Sequence, residues 1–220
     1  MAPLRIVYYL DVASSWCFWA EPAWSALKER YASRVDFDWK IALMDAAGLP
    51  TSREQLAWFY RRSGMMMRSS FMLNTEWLQP GRTEYPVRNF VAEAARDLGA
   101  SDDRVRLALS AAVLRHGKPA DEWEVAAEIA AQVGGLDKSK LLDRARSTEV
   151  EARVRASTAE FHELKVTQRP TFVIDSKTGD RAVFSGFVKP TPLEAAIDAM
   201  LDDLAAYESH AAHFGEPPAT

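Results

Sequence analysis

The pattern of apolar and polar residues at the start of the chain predicts a β-α-β unit. An apolar run over residues 4–10, with Arg5 as its one charged residue, is typical of a buried strand. Apolar residues then recur at helical spacing, which predicts a helix over about residues 15–31, and polar–apolar alternation predicts a second strand over residues 35–43. The apolar positions of the helix are Trp16, Cys17, Ala20, Ala23, Trp24 and Leu27.

The middle of the chain has helical periodicity, and the strand pattern returns only near the end. Strands are predicted over residues 170–175 and 181–185, joined by a hairpin turn, and a last helix begins at Pro190 and ends near Tyr207. Helices are predicted over residues 52–62, 87–98, 102–116, 122–133, 138–146 and 150–164, and residues 64–86 are predicted to be irregular.

Two pairs of strands separated by a long helical block predict how the chain is divided. Neither pair is sufficient for a stable sheet by itself, so the two flanks must combine. We therefore predict one α/β domain from residues 1–43 and 150–220, with residues 44–149 forming an inserted all-helical domain.

Composition narrows the class of protein. The chain has 220 residues, of which 48% are hydrophobic, and its net charge of −4 argues against nucleic acid and anionic membranes as partners. No apolar run reaches the roughly 18 residues that a membrane helix needs. One cysteine excludes an internal disulfide, and residues 1–5 lead into a strand without a signal-peptide pattern. We expect a cytoplasmic protein, since thiols remain reduced in that compartment.

The start of the first helix carries the candidate chemistry. Ser14 and Ser15 lie where an N-cap is expected, and Cys17 falls in the first helical turn. Unpaired backbone N–H groups and the helix dipole would stabilise a thiolate, a carboxylate or a phosphate there. Ser14 is either a cap alone or also a contact for a thiol, and Cys17 is either a packing residue or an activated thiol. Pro22 predicts a kink in the same helix.

Two motifs resemble those of the DsbA-type thioredoxin superfamily. Residues 14–17, SSWC, occupy the place of its Cys-x-x-Cys motif, and Pro22 has the matching offset. Residues 166–174, VTQRPTFVI, are similar to the segment that carries its cis-proline, here Pro170. The resemblance implies a thioredoxin-like fold with a helical insertion. It also implies that the Pro170 loop exposes the backbone of Arg169, so that a peptide or the cysteinyl part of glutathione can pair with it as a strand.

The decisive departure from this superfamily is Ser14 in place of the first, nucleophilic cysteine. Serine cannot perform thiol–disulfide exchange, and no adjacent histidine activates it. Kappa-class glutathione transferases and hydroxychromene-carboxylate isomerases carry serine at this position. By resemblance, glutathione or another low-molecular-weight thiol supplies the sulfur, Ser14 donates a hydrogen bond to it, and Cys17 is an auxiliary or resolving thiol.

Three functions follow as hypotheses. The first is a DsbA-family oxidoreductase with a degenerate Ser-x-x-Cys site that uses a small thiol. The second is a glutathione-dependent transferase or isomerase, and the third is a non-catalytic peptide-binding module. The residue after Gly186 is Phe187, where glutathione-dependent relatives usually have a polar residue, and the segment around Gly186 resembles the dithiol oxidoreductases.

The remaining site residues are assigned as follows. Ser14 and Cys17 are the predicted catalytic residues, and Ser15, Trp16, Arg169 and Pro170 are predicted to bind substrate. The expected partner is a small-molecule thiol or an apolar substrate; a homodimer is left open, and no metal is expected because His210 and His213 lack a third ligand.

Several further residues admit two interpretations. Asp11 is either a proton relay or, as we favour, a structural carboxylate. Arg88 and Asn89 fall near positions where relatives contact glutathione. Core packing is favoured over an apolar wall at the site for Met65, Met66, Met67, Phe71, Met72 and Trp77.

Overall fold

A mixed sheet of four strands in the order β2-β1-β3-β4 forms the centre of the protein. The computed structural model describes residues 2–79 and 81–215. β1 pairs with β2 in parallel and with β3 in antiparallel, and β3 pairs with β4 in antiparallel. The two predicted flanks therefore do combine into one sheet. The strands are β1 (Leu4–Leu10), β2 (Val35–Ile41), β3 (Thr171–Ser176) and β4 (Arg181–Ser185).

Eight helices in the described residues surround or extend from this sheet. Their starts follow local capping chemistry: Ser52 accepts a hydrogen bond from the backbone N–H of Gln55, and Ser147 accepts one from Val150. The helices are α1 (Ser15–Tyr31), α2 (Arg53–Met66), α3 (Val87–Asp97), α4 (Arg104–Leu114), α5 (Trp123–Gly134), α6 (Lys138–Ala145), α7 (Thr148–Glu163) and α8 (Thr191–Phe214).

Strand β1 is buried on both faces apart from the exposed Arg5, which explains why its other residues are apolar. Ile6 and Tyr8 belong to the main core together with residues of α1 and α8. Val7 and Tyr9 point to the opposite face, where they pack with Phe161 of α7. Because the central strand is covered on both sides, the turn that follows it is fixed relative to the whole domain.

Some element boundaries differ from those predicted. Helix α2 continues to Met66, β2 ends at Ile41, and α8 continues to Phe214 instead of ending near Tyr207. The last buried residue of α8 is Leu204, and residues 205–214 are exposed. The apolar period therefore ends where predicted, but the alanine-rich continuation keeps a helical backbone without packing.

The methionine-rich segment is mostly not part of the core. Met65, Met66 and Met72 are 74%, 68% and 53% exposed, so the favoured prediction of core packing is wrong for these three residues. Trp77 is buried, as that prediction required, and it lies in the main core. No helix in the described ranges is both long and apolar enough to cross a membrane.

Candidate functional site

The turn between β1 and α1 presents Ser14 as the N-cap of α1. Its backbone is extended, and its Oγ accepts a hydrogen bond from the backbone N–H of Cys17 at 3.3 Å. Among the described residues, the Ser14 hydroxyl donates to no oxygen or nitrogen, and the neighbouring group that it affects is the Cys17 thiol. Ser14 is thus both a cap and a donor that a ligand can use, so its two interpretations are compatible.

Asp11 stabilises the turn between β1 and α1 through hydrogen bonds to its carboxylate. Its carboxylate accepts hydrogen bonds from the backbone N–H groups of Ala13 (2.9 Å) and Met44 (3.1 Å) and from the side-chain amide of Asn89 (3.1 Å). The Asn89 amide oxygen in turn accepts from the backbone of Val12 at 3.1 Å. Both side chains are buried. The favoured structural interpretation of Asp11 therefore fits the geometry, and Asn89 serves the turn.

Cys17, in the first turn of α1, faces the core and is not exposed at the N-terminus of the helix. Its side chain is 3% exposed and packs in the main core. Burial raises the pKa of the thiol to about 11, and this outweighs the lowering by the Ser14 hydroxyl and the Asp11 backbone. Activation of Cys17 by the helix N-terminus is therefore contradicted. The predicted auxiliary or resolving role of Cys17 finds no support in this environment.

A cavity of about 170 Å³ opens beside the start of α1. Ser14, Ser15 and Trp16 line it from the turn and the helix, and Tyr60 and Trp77 line it from the insertion. Pockets for drug-sized ligands are typically about 300–1,000 Å³, so this cavity fits the reactive end of a ligand better than a whole tripeptide. The structure thus brings together three of the predicted site residues.

The Pro170 loop lies at the same end of the sheet, although it does not line that cavity. The peptide bond between Arg169 and Pro170 is cis. Tyr9 pairs with Thr171, which places Pro170 beside the last residue of β1, Leu10, from which the turn to Ser14 departs. Within the described residues, no hydrogen bond involves the backbone N–H or carbonyl of Arg169, so that backbone is free to pair with an extended ligand.

Arg169 is predicted to bind substrate, but its side chain makes contacts within the protein. Its guanidinium donates hydrogen bonds to the backbone carbonyls of Ala42 (2.6 Å) and Leu43 (2.5 Å) and lies 4.4 Å from the ring centroid of Phe161. The guanidinium is therefore occupied, and binding of a ligand carboxylate by this side chain is not what the geometry supports. It fastens the Pro170 loop to the end of β2.

The sequence reasoning missed Tyr60 and did not assign Trp77 to the site. The indole N–H of Trp77 donates a hydrogen bond to the Tyr60 hydroxyl at 3.0 Å, and both side chains are buried. Tyr60 belongs to the apolar stripe of α2 together with Leu56, and nothing in that stripe distinguishes a site residue from a core residue. Only the packing of the insertion against α1 brings these side chains to Ser14.

A buried cation lies behind Trp77. The Arg88 guanidinium carbon is 4.8 Å from the ring centroid of Trp77 and 5.1 Å from that of Tyr85. None of its three nitrogens has a hydrogen-bond partner among the described residues. Burial lowers the pKa of Arg88, while Asp11 and Asp121 oppose that change. Its predicted contact with glutathione would need access that a fully buried side chain lacks.

Other clefts and clusters offer less chemistry. A cleft of about 350 Å³ on the face covered by α7 is lined by charged residues, but these pair with one another, as Arg96 does with Asp38 and Arg153 with Glu93. No group of three metal-ligating side chains occurs in the part of the chain that the structure describes. The Ser14 cavity is therefore the best candidate site.

Comparison with known proteins supports the same fold. The family model of the DSBA-like thioredoxin domain matches residues 5–198. No curated protein matches the sequence significantly. The cytosolic disulfide reductase DsbM from Pseudomonas aeruginosa is similar with a TM-score of 0.73 and 17% identity, covering 90% of this chain and 98% of its own.

Two further solved structures bear on the site. DsbM solved with GSH has a TM-score of 0.71 and 16% identity, covering 90% of this chain and 99% of its own. A 2-hydroxychromene-2-carboxylate isomerase has a TM-score of 0.62 and 18% identity, covering 92% of this chain and 98% of its own. At these identities the similarity shows a shared fold only.

Proposed function

This chain belongs to the DSBA-like thioredoxin domain family, and from that premise we propose that it is an enzyme that binds a small thiol, such as glutathione, and uses the sulfur of that ligand as its reactive group. One observation carries the proposal. Ser14 stands at the helix start with a hydroxyl that donates to no oxygen or nitrogen of the described residues, whereas Cys17 is buried with its pKa raised to about 11. The protein itself therefore has no thiol suited to attack a substrate.

The start of α1 has what a bound thiolate requires. The Ser14 hydroxyl donates a hydrogen bond to the sulfur, and the positive end of the helix dipole stabilises its negative charge. The cavity of about 170 Å³ receives the thiol end, in contact with Ser15 and Trp16. The free backbone of Arg169 pairs with the backbone of the ligand.

The reaction follows from a sulfur held next to an apolar wall. Met44, Phe59 and Trp77 line the same cavity, so an apolar electrophile can meet the thiolate there. The thiol proton leaves to solvent, and the sulfur adds to an electrophilic carbon of a polarised double bond, whose π electrons move to the far end of that bond and take up a proton from solvent. If that bond persists the product is a conjugate, and if it breaks again after rearrangement the product is an isomer with the thiol regenerated. The serine at the place of the nucleophilic cysteine and the burial of Cys17 favour this chemistry over disulfide reduction.

A second candidate is a peptide-binding module without catalysis. A mostly apolar cleft of about 500 Å³ runs along α1 and is lined by Phe18, Trp19, Phe71 and Leu107. Together with the free backbone of Arg169 it offers the elements of a peptide groove. This function requires no small thiol, so thiol binding distinguishes it from the enzyme.

Calorimetric titration with glutathione tests the proposal by comparing the affinity of the wild type with that of two serine variants. Ser14→Ala removes both the cap and the proposed donor to sulfur. Ser147→Ala is the matched control, because Ser147 caps α7 and accepts from Val150 N–H at the same 3.3 Å, away from the cavity. We expect the wild type and Ser147→Ala to bind alike and Ser14→Ala to bind at least tenfold more weakly. Absence of binding to the wild type would favour the module.

We further propose that the protein acts in the cytosol, as the related DsbM does by its description. A pool of reduced small thiols is present in that compartment, and the single cysteine of this chain remains reduced there. Whether the chain forms a homodimer remains a prediction from sequence.

A further inference from the structure

A tyrosine of the insertion lines the Ser14 cavity together with Ser14 and Ser15. This residue, Tyr60 of α2, is 2% exposed. Its oxygen accepts a hydrogen bond from the Trp77 indole at 3.0 Å. Among the described residues, none accepts the hydrogen that the Tyr60 hydroxyl itself carries. A buried donor without an acceptor is costly, and such a group calls for a partner.

The surroundings of Tyr60 leave its hydroxyl hydrogen as the group that it can still offer to a ligand. The Trp77 N–H is bonded to its oxygen, and the Arg88 guanidinium carbon lies 4.8 Å from the Trp77 ring centroid. A hydrogen bond accepted by the oxygen polarises the O–H bond and strengthens it as a donor. Burial also raises the pKa of Tyr60 well above its ordinary value, so the hydroxyl keeps its proton at neutral pH.

We propose that Tyr60 donates a second hydrogen bond to the thiolate that Ser14 holds. This inference rests on the proposed function and extends it, since it assigns a role to a residue of the insertion. Two hydroxyls would then hold one sulfur, Ser14 from the turn after β1 and Tyr60 from helix α2. The second part of the stabilisation would be present only when α2 is packed against α1.

The pH dependence of glutathione affinity measures this stabilisation directly. A site that prefers the thiolate binds the ligand more tightly as pH rises towards the thiol's own pKa of about 8.5, and the affinity then levels off. The total rise in affinity equals the factor by which the site raises the acid dissociation constant of the bound thiol, that is, lowers its pKa. Calorimetry from pH 6 to pH 10 gives this factor, and a glutathione analogue with serine in place of cysteine corrects for titration of protein groups.

Tyr60→Phe removes the proposed donor and keeps the ring. We expect the rise in affinity with pH to shrink about three- to tenfold, with binding at pH 6 nearly unchanged, because the protonated thiol gains little from the donor. Tyr85→Phe is the matched control: Tyr85 is also buried next to Trp77 and Arg88, but it does not line the cavity. This variant should follow the wild-type profile.

Site-specific replacement of Tyr60 by 3-fluorotyrosine covers the case in which Tyr60→Phe fails to fold. The fluorine makes the phenol more acidic and keeps its shape, so the rise in affinity with pH should be steeper than in the wild type. A profile unchanged in the fluorinated protein, or in a folded Tyr60→Phe protein, overturns the role of Tyr60 while the Ser14 site stands. A wild type that binds glutathione equally at all pH values, or not at all, refutes the thiolate site itself.

Discussion

The ionisation of Cys17 can be measured through stability, by comparing the wild type with Cys17→Ala. Burial raises the pKa of this thiol from 9.0 to about 11. The folded state therefore holds the proton more tightly than the unfolded state. The resulting stabilisation is complete below pH 9 and is lost as pH rises through 11. Two pKa units correspond to about 2.7 kcal/mol at most, of which about 2 kcal/mol is lost by pH 11.

The assay is urea unfolding of both proteins at a series of pH values from 7 to 11. Loss of the sulfur leaves a small cavity, so the wild type should be more stable at pH 7 by roughly 1–2 kcal/mol. That difference should shrink by about 2 kcal/mol between pH 8 and pH 11. Buried tyrosines also titrate at high pH, but they do so in both proteins and cancel in the comparison.

The rate of alkylation of the native protein is an independent measure of the ionisation of Cys17. At pH 7 a thiol of pKa near 11 is ionised to about one part in 10⁴, about a hundredfold less than one at 9. Iodoacetamide should therefore react slowly with the folded protein and rapidly after unfolding. A stability difference independent of pH, together with rapid alkylation at pH 7, would refute our account and return Cys17 to the list of catalytic residues.

Three further substitutions test other parts of the account. Ser14→Cys creates a Cys-x-x-Cys pair at the start of α1 and should allow the protein to reduce insulin disulfides. A folded variant that is inactive and forms no internal disulfide would show that residues 14–17 do not correspond to the Cys-x-x-Cys motif. Asp11→Ala leaves three buried donors without acceptors. The free energy of unfolding, measured by urea titration, should therefore fall by about 3 kcal/mol or more. A fall below about 1 kcal/mol would contradict the structural role of Asp11. Arg88→Met replaces a buried guanidinium whose nitrogens have no hydrogen-bond partners among the described residues. The melting temperature should therefore stay unchanged or rise. A fall in stability of more than about 3 kcal/mol would mean that the guanidinium is paired in solution.

Local sequence signals were sufficient for the fold and for half of the site. The buried run of β1, the cap at Ser14 and the Pro170 segment are each set by neighbouring residues, so their positions are readable from sequence. The combination of the two flanks in one sheet, which the structure achieves through the pairing of β1 with β3, followed from the shortage of strands in either flank. The far end of α8 was missed because helix propensity, without burial, leaves no apolar period to detect.

The other half of the site depends on contacts between distant segments. Tyr60 and Trp77 reach the Ser14 cavity only because the insertion packs against α1, and no motif marks them. The Arg169 side chain is directed by two carbonyl groups at the end of β2, more than 120 residues away, so its sequence neighbours gave no indication of its partners. The same holds for Cys17, whose position in the first turn suggested activation but whose burial decides its pKa.

A crystal structure of the protein with glutathione would test the central claim most directly. We predict that the ligand sulfur lies within hydrogen-bonding distance of the Ser14 hydroxyl, with the cysteinyl backbone paired to Arg169 and no bond to Cys17. Glutathione bound elsewhere, or joined to Cys17 in a mixed disulfide, would contradict the claim that the ligand and not the protein supplies the reactive sulfur.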